Sequence, residues 1–72
     1  MKKPFFINRL KVVLAEKRLH SKQLAARIGV SEGTVSKWCV NKQQPPLERL
    51  REIALDLDVD IKDLLNSTKK NL

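Results

Sequence analysis

The 72-residue chain carries 15 Lys and Arg against eight Asp and Glu, which gives a net charge of +7 at neutral pH. Its single cysteine, Cys39, cannot form an internal disulfide, and with only one histidine, His20, it cannot complete a usual zinc site. No apolar run approaches the roughly 20 residues that span a bilayer. We therefore expect one small cytoplasmic domain of packed helices, with no metal and no cofactor.

Catalytic functions are disfavoured by the residue inventory. A chain with one His, one Cys, no Tyr and two Gly offers neither a phosphate-cradling loop nor a nucleophile with its base and orienting group. The acidic residues Glu48, Glu52 and Asp56 repeat at a four-residue spacing that is typical of a solvated helix face. We interpret them as surface charge and predict that the protein is not an enzyme.

The positive charge is concentrated in one half of the chain. Residues 1–44 contain ten Lys and Arg against two acidic residues, a net charge of +8, whereas residues 45–72 have a net charge of −1. A basic surface attracts a polyanion and releases its counterions. The asymmetry favours a nucleic-acid backbone as the partner of the first half, although Lys and Arg also serve simply to solvate helix faces.

The chain is predicted to begin with a short basic arm, residues 1–5, from which Lys2 and Lys3 are able to reach a phosphate. An amphipathic helix is predicted from Phe6 to about Arg18, because its apolar residues recur at the spacing of one helical face. Those residues are Ile7, Leu10, Val13 and Leu14.

Residues 21–41 predict two short helices joined by a tight turn. The apolar residues of the pair recur at helical spacing and are expected in the core: Leu24, Ala25, Ile28, Val35 and Trp38. Gly29 is expected to end the first helix at positive φ, which glycine adopts without steric cost. Ser21 is the predicted cap of the first helix, in preference to His20, and Ser31 the predicted cap of the second.

The chain after this pair is predicted to form a loop and two more helices. Residues 39–46 are too polar and proline-rich to continue a helix, and Asn41 is a predicted left-handed cap. Pro46 suits the first turn of a fourth helix, and Asp60 caps a short last helix. The apolar repeat of these two helices comprises Leu47, Leu50, Ile53, Ala54, Leu57, Ile61, Leu64 and Leu65. Residues 67–72 are predicted to be a disordered polar tail.

Two stretches of this pattern resemble the Cro and phage-repressor type (XRE-like) family of helix-turn-helix proteins. One is A-x-x-x-G-V-x-x-x-x-V-x-x-W at residues 25–38, and the other is P-x-L-x-x-L-x-x-I-A-x-x-L-x-V-x-x-x-x-L-L at residues 45–65. The resemblance implies an all-α fold, a compact bundle of five short helices of the lambda-repressor-like type. It would occupy residues 6–66, with the helix-turn-helix at about residues 21–41.

The resemblance also implies that the second helix of the pair enters the major groove of DNA. The positions that would read bases are Glu32, Gly33, Thr34, Ser36 and Lys37. Lys37 is able to donate to guanine O6 and N7, and Glu32 to accept from cytosine N4. The alternatives are a phosphate contact for Lys37, a helix-start charge for Glu32, and plain surface exposure for Thr34 and Ser36. Gly33 either permits a close approach or leaves a base unread.

Phosphate contacts are expected from the start of the first helix of the pair and from the loop after the second. These residues are Ser21, Lys22, Gln23, Asn41, Lys42 and Gln44. Relatives often carry Gln at the position of Ser21, so Lys22 and Gln23 are candidates to replace that contact. A solvated surface lysine is the alternative for Lys22. The loop carries amide and basic side chains without an acid, which suits a phosphate backbone.

These features together favour a transcriptional regulator, a repressor that binds a symmetric operator on double-stranded DNA as a homodimer. Leu64, Leu65 or the exposed edge of the last helix are candidate dimer contacts. No small-molecule ligand and no membrane partner are expected. The alternative is an antitoxin or other interaction protein, which neutralises a partner protein through its acidic half and represses its own promoter. An architectural or RNA-binding role is disfavoured, because the chain lacks an aromatic surface for stacking.

Overall fold

The computed structural model describes residues 6–69, which form four α-helices and one turn of 3₁₀ helix. The helices are α1 (Leu10–Glu16), α2 (Ser21–Ile28), α3 (Glu32–Cys39), α4 (Leu47–Leu57) and the 3₁₀ helix (Ile61–Leu64). The predicted all-α architecture of five short helices is confirmed, with the fifth as a 3₁₀ turn. The predicted basic arm, residues 1–5, and the last three residues of the predicted tail, 70–72, lie outside the described residues.

One apolar core is shared by all five helices. Its buried members are Leu10, Val13, Leu14, Leu24, Ala25, Val35, Trp38, Leu50, Ile53, Ala54, Leu57 and Leu64. Helices of seven to eleven residues are too short to be stable alone in water, so their stability comes from packing these apolar faces together. The position of each helix, including the pair α2 and α3, is therefore set by this core.

Helix α1 is shorter at both ends than the predicted span from Phe6 to about Arg18. The N–H groups of Ile7 and Asn8 donate to Asn41 Oδ1 at 2.8 and 2.9 Å, which holds this segment against the end of α3 and outside the helix. Ile7 is 46% exposed, so its assignment to the apolar stripe of the helix is wrong. At the other end, Arg18 has a left-handed conformation with φ of 57°, which stops the helix.

The two ends of the domain lie side by side. The Arg9 N–H donates to Leu64 O at 2.8 Å, and the Asn66 N–H donates to Ile7 O at 2.9 Å. Within the described residues, the isolated antiparallel bridge between Asn8 and Leu65 is the one element of β structure. Leu64 is completely buried beneath this contact. The prediction that Leu64 contacts a second subunit is therefore wrong, because its side chain already belongs to the core.

Helix α4 differs from its prediction at two side chains. Leu47 is 72% exposed, because the first turn of α4 lies at the edge of the core, where Leu50 is itself the least buried core residue. Asp56 is not a free surface charge, since its Oδ2 lies 3.1 Å from Arg27 Nε and its side chain is only 25% exposed. This ion pair joins α4 to α2.

Candidate nucleic-acid interface

The turn between α2 and α3 has the geometry that its sequence predicts. Gly29 adopts a φ of 76°, and its N–H donates to Ala25 O at 2.9 Å. Ser31 Oγ accepts from the Thr34 N–H at 3.1 Å, which satisfies one of the free donors at the start of α3. Ala25 is only 4% exposed, so a larger side chain there would separate the packed helices. The predicted ends of both helices at this turn are confirmed.

Helix α3 has one buried face and one exposed face. Val35 is completely buried and Trp38 is 4% exposed, so both are core residues, as predicted. Four of the five predicted base-reading residues are exposed on the opposite side: Glu32, Gly33, Ser36 and Lys37. The fifth, Thr34, is half-buried, and its hydroxyl lies 2.9 Å from Ser31 Oγ. The fold thus collects these residues on a two-turn helix and leaves most of them open to solvent.

The packing of the domain does not require a glycine at position 33. A Cβ at Gly33 would meet Ser31 Oγ at 3.9 Å, which is an ordinary van der Waals distance. Glycine inside a helix lowers stability by roughly 0.5–1 kcal/mol relative to alanine. Packing within the described residues therefore does not explain the glycine at this position.

The start of α2 differs from the prediction by one residue. His20 is the N-cap, with φ of −94° and ψ of 156°, so the prediction that Ser21 is the cap is wrong. The reason is Gln23, whose Oε1 accepts from the His20 N–H at 2.8 Å and fixes the first turn at that point. Ser21 is half-buried with its Oγ 3.7 Å from Cys39 Sγ, whereas Lys22 and Gln23 are exposed.

The loop after α3 is tied to the beginning of the domain. Asn41 has the predicted left-handed conformation, with φ of 61°. Its Oδ1 accepts from the Ile7 and Asn8 N–H groups, and its Nδ2 donates to Asn8 O at 3.1 Å. Gln44 Oε1 accepts from Asn8 Nδ2 at 2.8 Å. Both amides thus have partners within the domain, and their contact with phosphate stays a prediction that would compete with these bonds. Lys42, between them, is exposed.

Asn8, to which no role was assigned from the sequence, lies at the centre of this network. It is 3% exposed, and its Nδ2 also donates to Trp38 O at 2.9 Å. Its Oδ1 accepts from the Leu10 N–H at 3.0 Å, so this one side chain joins the start of α1 to the end of α3. An Asn two residues before an apolar repeat is a capping signal. That signal points to the bond with Leu10, but not to Trp38, which is 30 residues away.

The ion pairs of the described residues lie along α2 and α4. Arg27 pairs with Asp56, and Arg49 Nη1 lies 3.0 Å from Glu52 Oε1. Arg49 Nη1 also donates to Ile28 O at 2.9 Å and so satisfies a free carbonyl at the end of α2. The lysines of the predicted interface take part in neither pair, which leaves their charge available to an anion.

Comparison with known proteins identifies the family. The sequence model of the Cro/C1-type HTH DNA-binding domain matches residues 9–70. The chain belongs to the Cro/C1-type helix-turn-helix family. Its fold also matches a crystal structure of a candidate DNA-binding protein from Bacteroides fragilis, with 50% sequence identity and a TM-score of 0.82. That match covers 83% of this chain and 97% of the other. No curated protein matches.

Membership of the Cro/C1-type family confirms the resemblance and the lambda-repressor-like fold class expected from the sequence. In this Cro/C1-type domain, α2 and α3 form the helix-turn-helix, and DNA is the partner of the domain. Within residues 6–69, none of the helices is long and apolar enough to cross a membrane. No three His, Cys, Asp or Glu side chains of the same residues are grouped as metal ligands.

Proposed function

We propose that the protein is a transcriptional repressor that occupies a two-fold symmetric operator as a homodimer, with α3 of each subunit in the major groove. The observation that carries the proposal is the division of α3 into a buried face, anchored by Val35 and Trp38, and an exposed face. In this arrangement Lys37 donates to guanine and Glu32 accepts from cytosine N4. Thr34 and Ser36 lie beside them.

A homodimer follows from the small reading surface of one subunit. Helix α3 has eight residues, and each good bidentate contact contributes roughly 1–3 kcal/mol of discrimination. Specific sites typically exceed non-specific DNA by about 4–10 kcal/mol, whereas two contacts, from Lys37 and Glu32, supply about 2–6 kcal/mol, the lower part of that range. Two subunits related by a two-fold axis double the contacts and place them on two half-sites, roughly 34–36 Å apart.

The phosphate contacts in this proposal lie on both sides of α3. Lys22 and Gln23 at the start of α2 are exposed, and so is Lys42 in the loop after α3. Neither lysine belongs to an ion pair of the described residues, so no carboxylate competes with a phosphate for its charge. Ser21 lies in the first turn of α2, where the free backbone N–H groups of a helix start favour a phosphate. Asn41 and Gln44 contribute by holding the loop through their internal hydrogen bonds, in addition to any phosphate contact of their own.

The first test is selection of preferred duplexes from a random pool at two salt concentrations. We expect a two-fold symmetric site with half-sites about one helical turn apart. Lys37→Ala should relax one position in each half-site, whereas Lys69→Ala, which removes an exposed lysine outside the helices, should leave the selected site unchanged. No enrichment, with the same salt dependence for all three proteins, would show that α3 does not read bases.

The second test uses Gly33, where stability and binding are expected to change in opposite directions. Gly33→Ala should raise the free energy of unfolding by less than the roughly 0.5–1 kcal/mol of a mid-helix position, because Gly33 lies in the first turn of α3 and the site has room for a Cβ. It should also weaken operator binding if α3 comes close to the groove at this point. Greater stability with unchanged affinity would remove close approach as the reason for this glycine.

A further inference from the structure

A cleft of about 610 Å³ lies between the end of α1, the start of α2 and the end of α3. Leu14, which is 3% exposed, and the half-buried Leu19, Ser21 and Cys39 are its least accessible lining residues, and the first, second and fourth of these form an apolar floor. Ala15 and Val40 line it nearer the surface, where Val40 is 58% exposed. Sites for small molecules have volumes of roughly 300–1,000 Å³ and mostly apolar linings. The cleft has the size and the apolar floor of such a site.

The opening of the cleft is positively charged. Lys11 and Arg18 line it and are both exposed, and no Asp or Glu is among its lining residues. Neither cation belongs to an ion pair of the described residues. A molecule that fits this cleft therefore has a negative group for the opening and an apolar body for the floor.

The floor of the cleft includes the half-buried thiol of Cys39. Burial raises the pKa of the Cys39 thiol, although the hydrogen bond between Cys39 and Ser21 and the charge of Lys11 act in the opposite direction. A neutral thiol adds to the apolar surface that Leu14 and Leu19 provide. A charged phosphate would gain nothing by entering this part of the cleft, because it would lose water there without a partner. An alkyl or aromatic group gains from the same burial.

The cleft adjoins the proposed DNA interface. Two of its lining residues are Ser36, on the exposed side of α3, and Ser21, at the start of α2. Both belong to the surface on which the duplex is proposed to lie. A ligand in the cleft would therefore place its negative group against the approaching DNA backbone, and the two occupants would exclude each other.

We propose that this cleft binds a small organic carboxylate with an apolar body of about six to ten carbons, and that the bound carboxylate competes with operator DNA. Carboxylate binding stands independently of the proposed function, whereas the competition rests on it. The same domain would then both read DNA and sense a metabolite. The cleft is built from three helices, which is why the sequence indicated no small-molecule ligand.

The binding half of the proposal is tested with octanoate by amide chemical shifts in NMR titrations. We expect saturable shifts centred on Ala15, Leu19 and Val40. Octanamide, which has no charge, and Arg18→Gln, which removes the cation, should each weaken binding about three- to fivefold, the range of an exposed ion pair. Ala15→Phe narrows the cleft from an exposed position in its lining and should weaken octanoate binding. Lys62→Gln is the matched control and should have no effect.

The competition is tested with the selected operator duplex. At an octanoate concentration about ten times its dissociation constant, the apparent Kd for the duplex should rise about elevenfold, and acetate should have no such effect. Shifts that do not saturate, or that Lys62→Gln changes as much as Arg18→Gln, would overturn the site. An Arg18→Gln variant with weaker salt dependence of DNA binding and unchanged octanoate affinity would assign the cleft to the DNA backbone instead. Octanoate binding without any selected operator would uphold the site and overturn the proposed function.

Discussion

The substitution Asn8→Ala removes three hydrogen bonds made by one buried side chain. They join Asn8 to Trp38 O, to Gln44 Oε1 and to the Leu10 N–H, at 2.9, 2.8 and 3.0 Å. At about 1 kcal/mol net for each bond, the expected loss is about 3 kcal/mol. Trp38 O keeps the Asn41 N–H as a partner, but the Leu10 N–H loses its acceptor at the buried start of α1. A 72-residue domain has roughly 4–11 kcal/mol of stability, so this loss is a large part of the total.

The assay is urea unfolding followed by the fluorescence of Trp38, the single tryptophan, which is 4% exposed in the folded domain. With a slope of about 1 kcal/mol per molar urea, the midpoint should fall by about 3 M. Asn66→Ala is the control, because it removes an exposed amide with one bond, from Nδ2 to Phe6 O. Its cost should stay below about 1 kcal/mol. Equal midpoints for the two variants would refute the stabilising role derived for the Asn8 network.

Three further predictions use the same unfolding experiment or a simple chemical assay. Arg18→Gly should raise stability by about 0.5–1 kcal/mol, because a left-handed residue costs roughly 1–2 kcal/mol and the greater freedom of glycine in the unfolded chain offsets part of the gain; a lower midpoint than the wild type would contradict it. Ser31→Ala should lower stability by about 1 kcal/mol through loss of the α3 cap, whereas Ser67→Ala, at an exposed hydroxyl near the chain end, should cost much less. Because burial raises the pKa of Cys39, the thiol should react with iodoacetamide more slowly in the folded protein than in urea at the same pH. The stability that comes from keeping the Cys39 thiol protonated is full below the pKa of the unfolded thiol and is lost as the pH rises through the pKa of the folded one, because the unfolded thiol deprotonates first. Equal alkylation rates in the two states would refute the raised pKa.

The correct predictions depended on residues close together in the chain. The Ser31 cap involves a residue three positions away, and the cap at Asp60 involves one two positions away, since Asp60 Oδ1 accepts from the Lys62 N–H at 3.1 Å. The positive φ angles of Gly29 and Asn41 could be predicted because each residue follows a helix and belongs to a type that tolerates the left-handed conformation. Such signals are complete within one or two turns of helix, so they survive into the folded structure.

The Ser21 cap was wrong for a local reason, the bond from the His20 N–H to Gln23, but most of the other wrong predictions concerned what covers an apolar side chain. Ile7, Leu47 and Leu64 all occupy helical repeats in the sequence, yet the first two are exposed and the third is completely buried. Periodicity indicates which face of a helix is apolar, but not how far the neighbouring helices extend along it. The same limit applies to Asp56, whose position among acidic residues gave no indication of Arg27 on another helix.

The sequence by itself determined the helices, the turn between α2 and α3 and the set of residues on the exposed side of α3, because a period of 3.6 residues and the helix caps are local properties. Only the tertiary structure decided the path of residues 6–9, the partners of Asn8, and the cleft between α1, α2 and α3. The Asn8 side-chain bonds to the end of α3 and the following loop span 30 and 36 residues. Contacts over such separations depend on how the core packs the helices against one another, and no local stretch of the chain contains that information.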